Sequence, residues 1–400
     1  MLFSKKPESA TTNRHPSFSY LGNHDYYFDS ACQTLRPQEV IDAETAYYRE
    51  YNACGGRVKY KWGQRVDEQV IECRELLLKY FGLSHKEFVA AFTLNTTYGM
   101  NMVLWQLPWE KFTSIVTTDI EHNSVFLPSQ TIAKRFDTKR IVVNRRTDGG
   151  VDISSLPSEP IVFVANAVSN IDGRTLANLK EIYDHVHQYG GIVILDIAQA
   201  GAHKIDELFC DVACGSAHKM YAPSLGFVLI RKTVLEALDI HLIGGGTVED
   251  VTRDSFELIK TADDPVARLE LGLQNWAGIV GLLEALRWRI KFRHDGQSAE
   301  DYERTLTSYL SEKLRGIPNL HNISPEGSPI QSVYAEKKDA HNLALYLGEK
   351  GIMCRSGYFC CHSYLKHQMK YPPLLRISLG LHNTKADVDV LVQALARLVV

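Results

Sequence analysis

The sequence predicts an α/β fold: a mostly parallel sheet covered by helices on both faces, followed by a smaller α+β domain. Three observations predict it. Short apolar runs alternate with helical segments over residues 114–230, the pattern of strands joined by helical crossovers. One run, Ile192-Val193-Ile194-Leu195, ends on a carboxylate, Asp196, as strands of open α/β sheets do where they deliver chemistry at their C-terminal edge. Beyond residue 282 the pattern changes to long helices with few, scattered apolar runs, which separates a second domain.

The elements follow in order. Residues 1–24 are polar and aperiodic and read as a loosely attached N-terminal arm joining the small domain. Residues 25–285 form the large domain and 286–400 the small one. Apolar residues at helical spacing predict a helix from Val70 to Phe81, ended by Gly82. Strands are predicted at Ser114–Thr117, Ile141–Val143, Ile161–Val164, Ile192–Leu195, Val212–Gly215 and Gly226–Ile230, with a crossover helix at Asn178–Gln188. In the small domain helices are predicted over Leu282–Ile290, Ala299–Arg315, Asp339–Lys350 and from Lys385 onward. Apolar segments lie at Ser332–Ala335, Ile352–Cys361 and Leu375–Ser378.

Composition narrows the function. The chain has 400 residues, 45% apolar and 23% charged, with a net charge of −3. That balance describes a globular chain with no electrostatic footprint for nucleic acid or a membrane surface, so a small-molecule substrate is expected. The N-terminus lacks the apolar core of a secretory signal, and no apolar stretch reaches the length of a membrane span, which predicts a cytoplasmic protein. Eight cysteines are too few for a disulfide framework in a chain this long. Cys32, Cys54, Cys73, Cys210, Cys214 and Cys354 are read as buried small hydrophobes. Cys210 and Cys214 have no matching His or Cys pair nearby, so no metal site is predicted.

Asp196, Gln199 and the segment Gly215-Ser216-Ala217-His218-Lys219 together suggest an electron-sink site built around a lysine. A carboxylate at a strand end can keep a ring nitrogen protonated, and a lysine one connection later can form a Schiff base with an aldehyde. Pyridoxal 5'-phosphate needs both. Taken singly, Asp196 reads equally as a helix N-cap and either lysine as a solvated charge. Ala202-His203-Lys204 repeats the triplet Ala217-His218-Lys219. Lys204 lies on the same connection as Asp196, whereas a turn at Lys219 can return over the strand ends, so Lys219 is taken as the Schiff-base residue and Lys204 as surface.

Further candidates surround this pair. Thr96 and Thr97, in Asn95-Thr96-Thr97-Tyr98-Gly99, precede a helical run and could cradle a phosphate, or simply cap the helix. Ser216 and His218 add donors beside Lys219. His122 follows a strand and could stack on a pyridine ring, or be a surface-loop histidine. Asn170 could hold the cofactor or a substrate carboxylate, or be a turn asparagine. Arg376, inside Leu374-Leu375-Arg376-Ile377-Ser378, needs an anionic partner, either a substrate carboxylate or a structural carboxylate. Arg355 is ambiguous on the same grounds.

The order Thr-Thr-x-Gly, Glu-His, Ser-Asn-x-x-Gly, Asp-x-x-Gln-Ala, Ser-x-His-Lys, Arg-Ser-Gly-x-x-Cys and Arg-x-Ser-Leu resembles the class V aminotransferases of fold type I. The closest branch is the group II cysteine desulfurases and selenocysteine lyases. The resemblance covers residues 26–399 and implies a seven-stranded large-domain sheet, a homodimer and bound pyridoxal phosphate. It implies that Lys219 carries the cofactor, Asp196 pairs with its ring nitrogen, Gln199 contacts its phenolic oxygen and His122 stacks on it. Thr96, Thr97, Ser216 and His218 would bind phosphate, and Asn170 and Arg376 the substrate carboxylate. Cys360 would take sulfur from L-cysteine as a persulfide, leaving L-alanine, and pass it to a sulfur-acceptor protein.

The sequence also departs from that family. Tyr358-Phe359 replaces the usual polar residues before the nucleophile, and a second thiol, Cys361, follows it. Leu273 stands where a threonine often reaches the phosphate of the partner subunit. Arg57 matches an arginine near the site entrance, within altered flanks. The competing readings are a transaminase, a C–S β-lyase or an epimerase on the same scaffold, and a catalytically silent scaffold protein.

Overall fold

A computed structural model describes residues 13–56, 58–203 and 207–399. Arg57, Lys204 and the first twelve residues of the arm lie outside the described residues. The chain divides into two compact units. One gathers Glu39–Val168 and Thr175–Arg287; the other takes the described residues up to Gln38 with Ser169–Arg174 and those from Trp288 onward.

The larger unit is built on a seven-stranded sheet. In chain order its strands are β1 (Phe88–Thr93), β2 (Ser114–Thr118), β3 (Lys139–Val143), β4 (Ile161–Asn166), β5 (Ile192–Asp196), β6 (Val212–Ser216) and β7 (Gly226–Arg231). Their spatial order is β1-β7-β6-β5-β4-β2-β3. Strands β6, β5, β4, β2 and β3 run parallel, and only β7 opposes its neighbours. Parallel strands carry helices on both faces, which is why β1, β2 and β4 read as unbroken buried runs rather than alternating ones. Helices α1 (Lys61–Tyr80), α2 (Thr96–Leu104), α3 (Asn123–Arg135) and α4 (Leu179–Gln188) accompany the sheet. Met100, Val103 and Leu104 of α2 and Val125 and Ile132 of α3 join Val162, Val164, Ile194 and Val212 in one buried cluster.

Register places the site. Asn166 of β4 lies opposite Asp196 of β5, and Asp196 lies opposite Cys214 of β6. The C-terminal ends of three adjacent parallel strands are therefore level, and the loops leaving them share one edge. The turn expected at Lys219 is a 3-10 turn, Ala217–Lys219, between β6 and β7.

The smaller unit holds a four-stranded antiparallel sheet of β8 (Leu320–Asn322), β9 (Ile330–Ala335), β10 (Arg355–Gly357) and β11 (Leu374–Ser378), ordered β8-β9-β11-β10. Helices α5 (Ala299–Arg315), α6 (Ala340–Glu349) and α7 (Lys385–Val399) belong to it. Ser298 caps α5 by accepting from the Asp301 N–H, and Asp339 caps α6 through the His341 and Asn342 N–H groups, so both helices begin where a short polar side chain can take orphan donors.

Three sequence expectations differ from what is observed. From residue 14 the arm is packed rather than loose: Phe18 is wholly buried, Trp288 donates its indole N–H to Ser17, and Arg14 pairs with Asp387 at 3.2 Å. Residues 26–38, expected to open the large domain, belong to the smaller unit, because Tyr26–Tyr27 pairs in parallel with Ile352–Met353. Of the cysteines expected to be buried, Cys73, Cys210 and Cys214 are, but Cys32 and Cys354 are half-buried and Cys54 is exposed in the loop before Gly55. No helix among the described residues is long and apolar enough to cross a membrane, and no cluster of candidate metal ligands occurs among them.

Candidate active site

In the larger unit the level strand ends gather most of the predicted residues. Asp196 is buried, and its two oxygens have separate donors: the Ala198 N–H at 2.9 Å and the Ser124 hydroxyl at 3.0 Å. Two donors on separate oxygens fix the orientation of this buried carboxylate. Gln199 is buried in the turn that follows β5, with its carbonyl accepting from the Ala202 and His203 N–H groups.

Thr96 opens α2, and Asn95 caps that helix by accepting from the Tyr98 N–H. The Thr96 N–H donates to Ser216 Oγ at 3.1 Å, and the two hydroxyl oxygens stand 2.6 Å apart. Thr96 is buried and Thr97 exposed. The close approach of α2 to the sheet requires Gly226, since a Cβ there would stand 2.5 Å from the Asn95 backbone. Hydroxyls, a helix N-terminus and the half-buried His218 and Lys219 of the next turn thus lie at one edge of the unit.

His122 is the N-cap of α3 and half-buried; its Nδ1 accepts the Ser124 N–H at 3.1 Å and lies 2.7 Å from Ser124 Oγ. Accepting through Nδ1 leaves the ring proton on Nε2. Ser124 therefore links His122 to Asp196. Behind them Glu121 is buried, accepting from Thr118 Oγ at 2.5 Å and from the backbone and side-chain N–H groups of Asn166 at 2.7 and 2.9 Å, with Arg145 at 3.7 Å. Burial outweighs these donors and raises its carboxyl to about 7. In the sequence Glu121 appears only as part of the Glu-His motif, and neither it nor Ser124 carries a signal of its role beyond its place beside His122 at a strand-to-helix junction.

The smaller unit gathers the rest. Arg376 sits on β11, opposite Arg355 of β10 and Ser332 of β9, and is 3% exposed. Its guanidinium donates to the Asn170 carbonyl at 3.0 Å and to Asp29 Oδ1 at 3.2 Å, and lies 4.7 Å from the Phe359 ring centroid. Arg355 donates to the other Asp29 oxygen at 2.9 Å and is largely exposed. Asp29 is thus the carboxylate that Arg376 requires within the fold, a partner the sequence did not reveal because it lies 347 positions away. Arg376 Nε is buried with no hydrogen-bond partner among the described residues. Two guanidinium groups share the single Asp29 carboxylate, which leaves net positive charge for a further anion.

The Asn170 amide is engaged on both sides. Its Nδ2 donates to the Phe359 carbonyl at 2.8 Å, and its Oδ1 lies 3.3 Å from Cys361 Sγ. Cys361 is 2% exposed, whereas Cys360 is exposed. Phe359 and Cys360 both adopt the left-handed backbone region, at φ +48° and +59°, and this turns adjacent thiols to different surroundings. A π-helical turn, Ser363–Gln368, follows before β11.

The aminotransferase class-V family matches residues 26–391. A probable cysteine desulfurase of Methanothermobacter thermautotrophicus is 31% identical over 389 residues, covering 92% of this chain and 93% of its own length. Among solved structures, the cysteine desulfurase CsdA of Escherichia coli superposes with a TM-score of 0.85 at 25% identity, covering 96% of this chain and 98% of that one. The apo cysteine desulfurase of Thermococcus onnurineus NA1 gives a TM-score of 0.82 at 25% identity, covering 94% and 95%. With a family match over nearly the whole length and a fold of the same type, the chain belongs to the aminotransferase class-V family.

Proposed function

We propose that this protein is a pyridoxal-phosphate-dependent cysteine desulfurase that converts L-cysteine to L-alanine and takes the sulfur onto Cys360. The observation that carries the reading is Cys360 itself, an exposed thiol on a left-handed turn whose preceding residue, Phe359, packs its ring against the buried Arg376. Curated relatives named as cysteine desulfurases support it.

The residues of the larger unit fit the cofactor. Asp196, oriented by Ser124 and Ala198, would pair with the ring nitrogen, and Gln199 would contact the phenolic oxygen. Lys219 would carry the cofactor as a Schiff base, and His122 would lie on the ring face. Thr96, Thr97, Ser216 and His218 would hold the phosphate at the N-terminus of α2. When bound, pyridoxal phosphate supplies the electron sink for the pair released at the substrate α-carbon.

The chain's own residues do the rest. Arg376, with Arg355 and Asn170, would bind the substrate carboxylate; the unpartnered Arg376 Nε supports that capacity. Lys219 and His122 would move protons at the α-carbon and the leaving thiol. The Cys360 thiolate attacks the substrate sulfur, the C–S bond breaks, and its electron pair stays with the carbon skeleton, which is protonated to alanine. Cys360 is left as a persulfide, so the electrons balance with no external oxidant. A sulfur-acceptor protein would then take the terminal sulfur. Leu273, 77% exposed, stands where a relative's threonine would reach across a homodimer, and its alkyl side chain cannot donate to phosphate.

Product identification over a panel of amino acids tests this reading. Alanine from L-cysteine is expected; pyruvate with ammonia would mark β-elimination, and a keto acid matching the substrate would mark transamination.

A further inference from the structure

The second thiol, Cys361, has no part in the reaction just described, yet it is the more constrained of the pair. Its Sγ lies 3.3 Å from Asn170 Oδ1 and 3.6 Å from the Phe359 carbonyl, and the same carbonyl accepts Asn170 Nδ2–H at 2.8 Å. The Cys361 backbone is bound at both ends, with its N–H to Tyr358 O at 2.8 Å and its carbonyl to the Leu365 N–H at 3.0 Å. Three side-chain and carbonyl groups thus close a small ring around the turn that carries Cys360.

That turn is costly to hold. Two consecutive non-glycine residues, Phe359 and Cys360, have φ of +48° and +59°, and Gly357 has φ +129°. A left-handed non-glycine residue is strained, and such a conformation persists only where its surroundings over-determine it. Asn170 and Cys361 supply that determination. The single S–H of a thiol flanked by two carbonyl oxygens can donate to the nearer one, here Asn170 Oδ1 at 3.3 Å, so Cys361 is placed to serve as a donor.

We propose that Cys361 is a positioning residue: through its hydrogen bond to Asn170 it latches the 357–361 turn so that Cys360, and not Cys361, is presented as the reactive thiol. The proposal rests on the reading of Cys360 as the sulfur-accepting residue. It also gives Asn170 a second duty, since the amide that would meet the substrate carboxylate already reports the state of the turn.

The test measures Cys360 directly in the holoprotein, without substrate, as the rate of alkylation by iodoacetamide located by peptide fragmentation and followed across the thiol titration range. Cys361→Ala and Cys361→Val, which remove the donor with and without a loss of volume, should each shift that rate roughly three- to tenfold, as loss of one hydrogen bond allows. Cys361→Ser keeps a donor and should stay within about twofold. Asn170→Ala should shift the rate in the same direction, and the Asn170→Ala/Cys361→Ala double variant should go no further, the signature of two residues acting through one contact. After turnover of L-cysteine the persulfide should lie on Cys360 alone.

Wild-type rates in both the alanine and valine variants would overturn the proposal, as would a serine variant indistinguishable from alanine or a persulfide on Cys361. Absence of alanine formation with the alkylation pattern intact would retire the desulfurase reading and leave the latch standing.

Discussion

Ser124 donates its hydroxyl to Asp196 Oδ2 at 3.0 Å, tying the first turn of α3 to the end of β5 across 72 positions of sequence. The Ser124 N–H donates to His122 Nδ1 at 3.1 Å, so one residue orients both the carboxylate and the imidazole. Hydrogen bonds to a charged group contribute about 1.5–3 kcal/mol. Ser124→Ala should therefore weaken pyridoxal phosphate binding by roughly tenfold or more, read by equilibrium dialysis. Unchanged affinity would show that Ala198 alone orients Asp196.

Asp29 joins two arginines, one on each oxygen, and one of them is buried. Removing one partner from a buried pair costs about 3–5 kcal/mol because the other charge is left uncompensated. Asp29→Asn should lower the denaturation midpoint strongly, whereas Arg355→Gln, on the exposed side, should lower it little. Equal effects would place the energetic weight on the exposed arm instead.

Glu121 makes stability depend on pH. Its carboxyl is raised from near 4.5 to about 7, chiefly by burial. Between those values the folded protein binds the proton that the unfolded chain releases. The contribution is therefore complete below about pH 4.5 and is lost as pH rises through about 7. Glu121→Gln, which mimics the protonated acid, should flatten this loss, by on the order of 3 kcal/mol between the two ends. Urea midpoints of the cofactor-free protein at both ends would measure it; parallel profiles for the two proteins would contradict the assignment.

Much of this was legible from local pattern. The parallel strands appear as short β-branched runs bounded by turns, and α5 and α6 announce themselves through Ser298 and Asp339. Strand β1 was missed because its centre, Ala90-Ala91, lacks the β-branched residues that mark β2 and β4. Asp196 and the turn at Lys219 could be assigned to one sheet edge in advance because a parallel register brings strand ends level. Asp29 could not be paired with Arg376, since nothing local marks a contact across the whole chain. Ser124 and Cys361 escaped for a different reason: each serves through a hydrogen bond to another site residue, and such a role has no residue-type signature.

The central claim is that Cys360 takes sulfur from L-cysteine, and a single-turnover reaction of the reconstituted protein with L-cysteine tests it most directly. Wild-type protein should yield one equivalent of alanine per active site and one persulfide located on Cys360, with Cys360→Ser yielding neither while still binding the cofactor. Undiminished alanine formation by Cys360→Ser would contradict it.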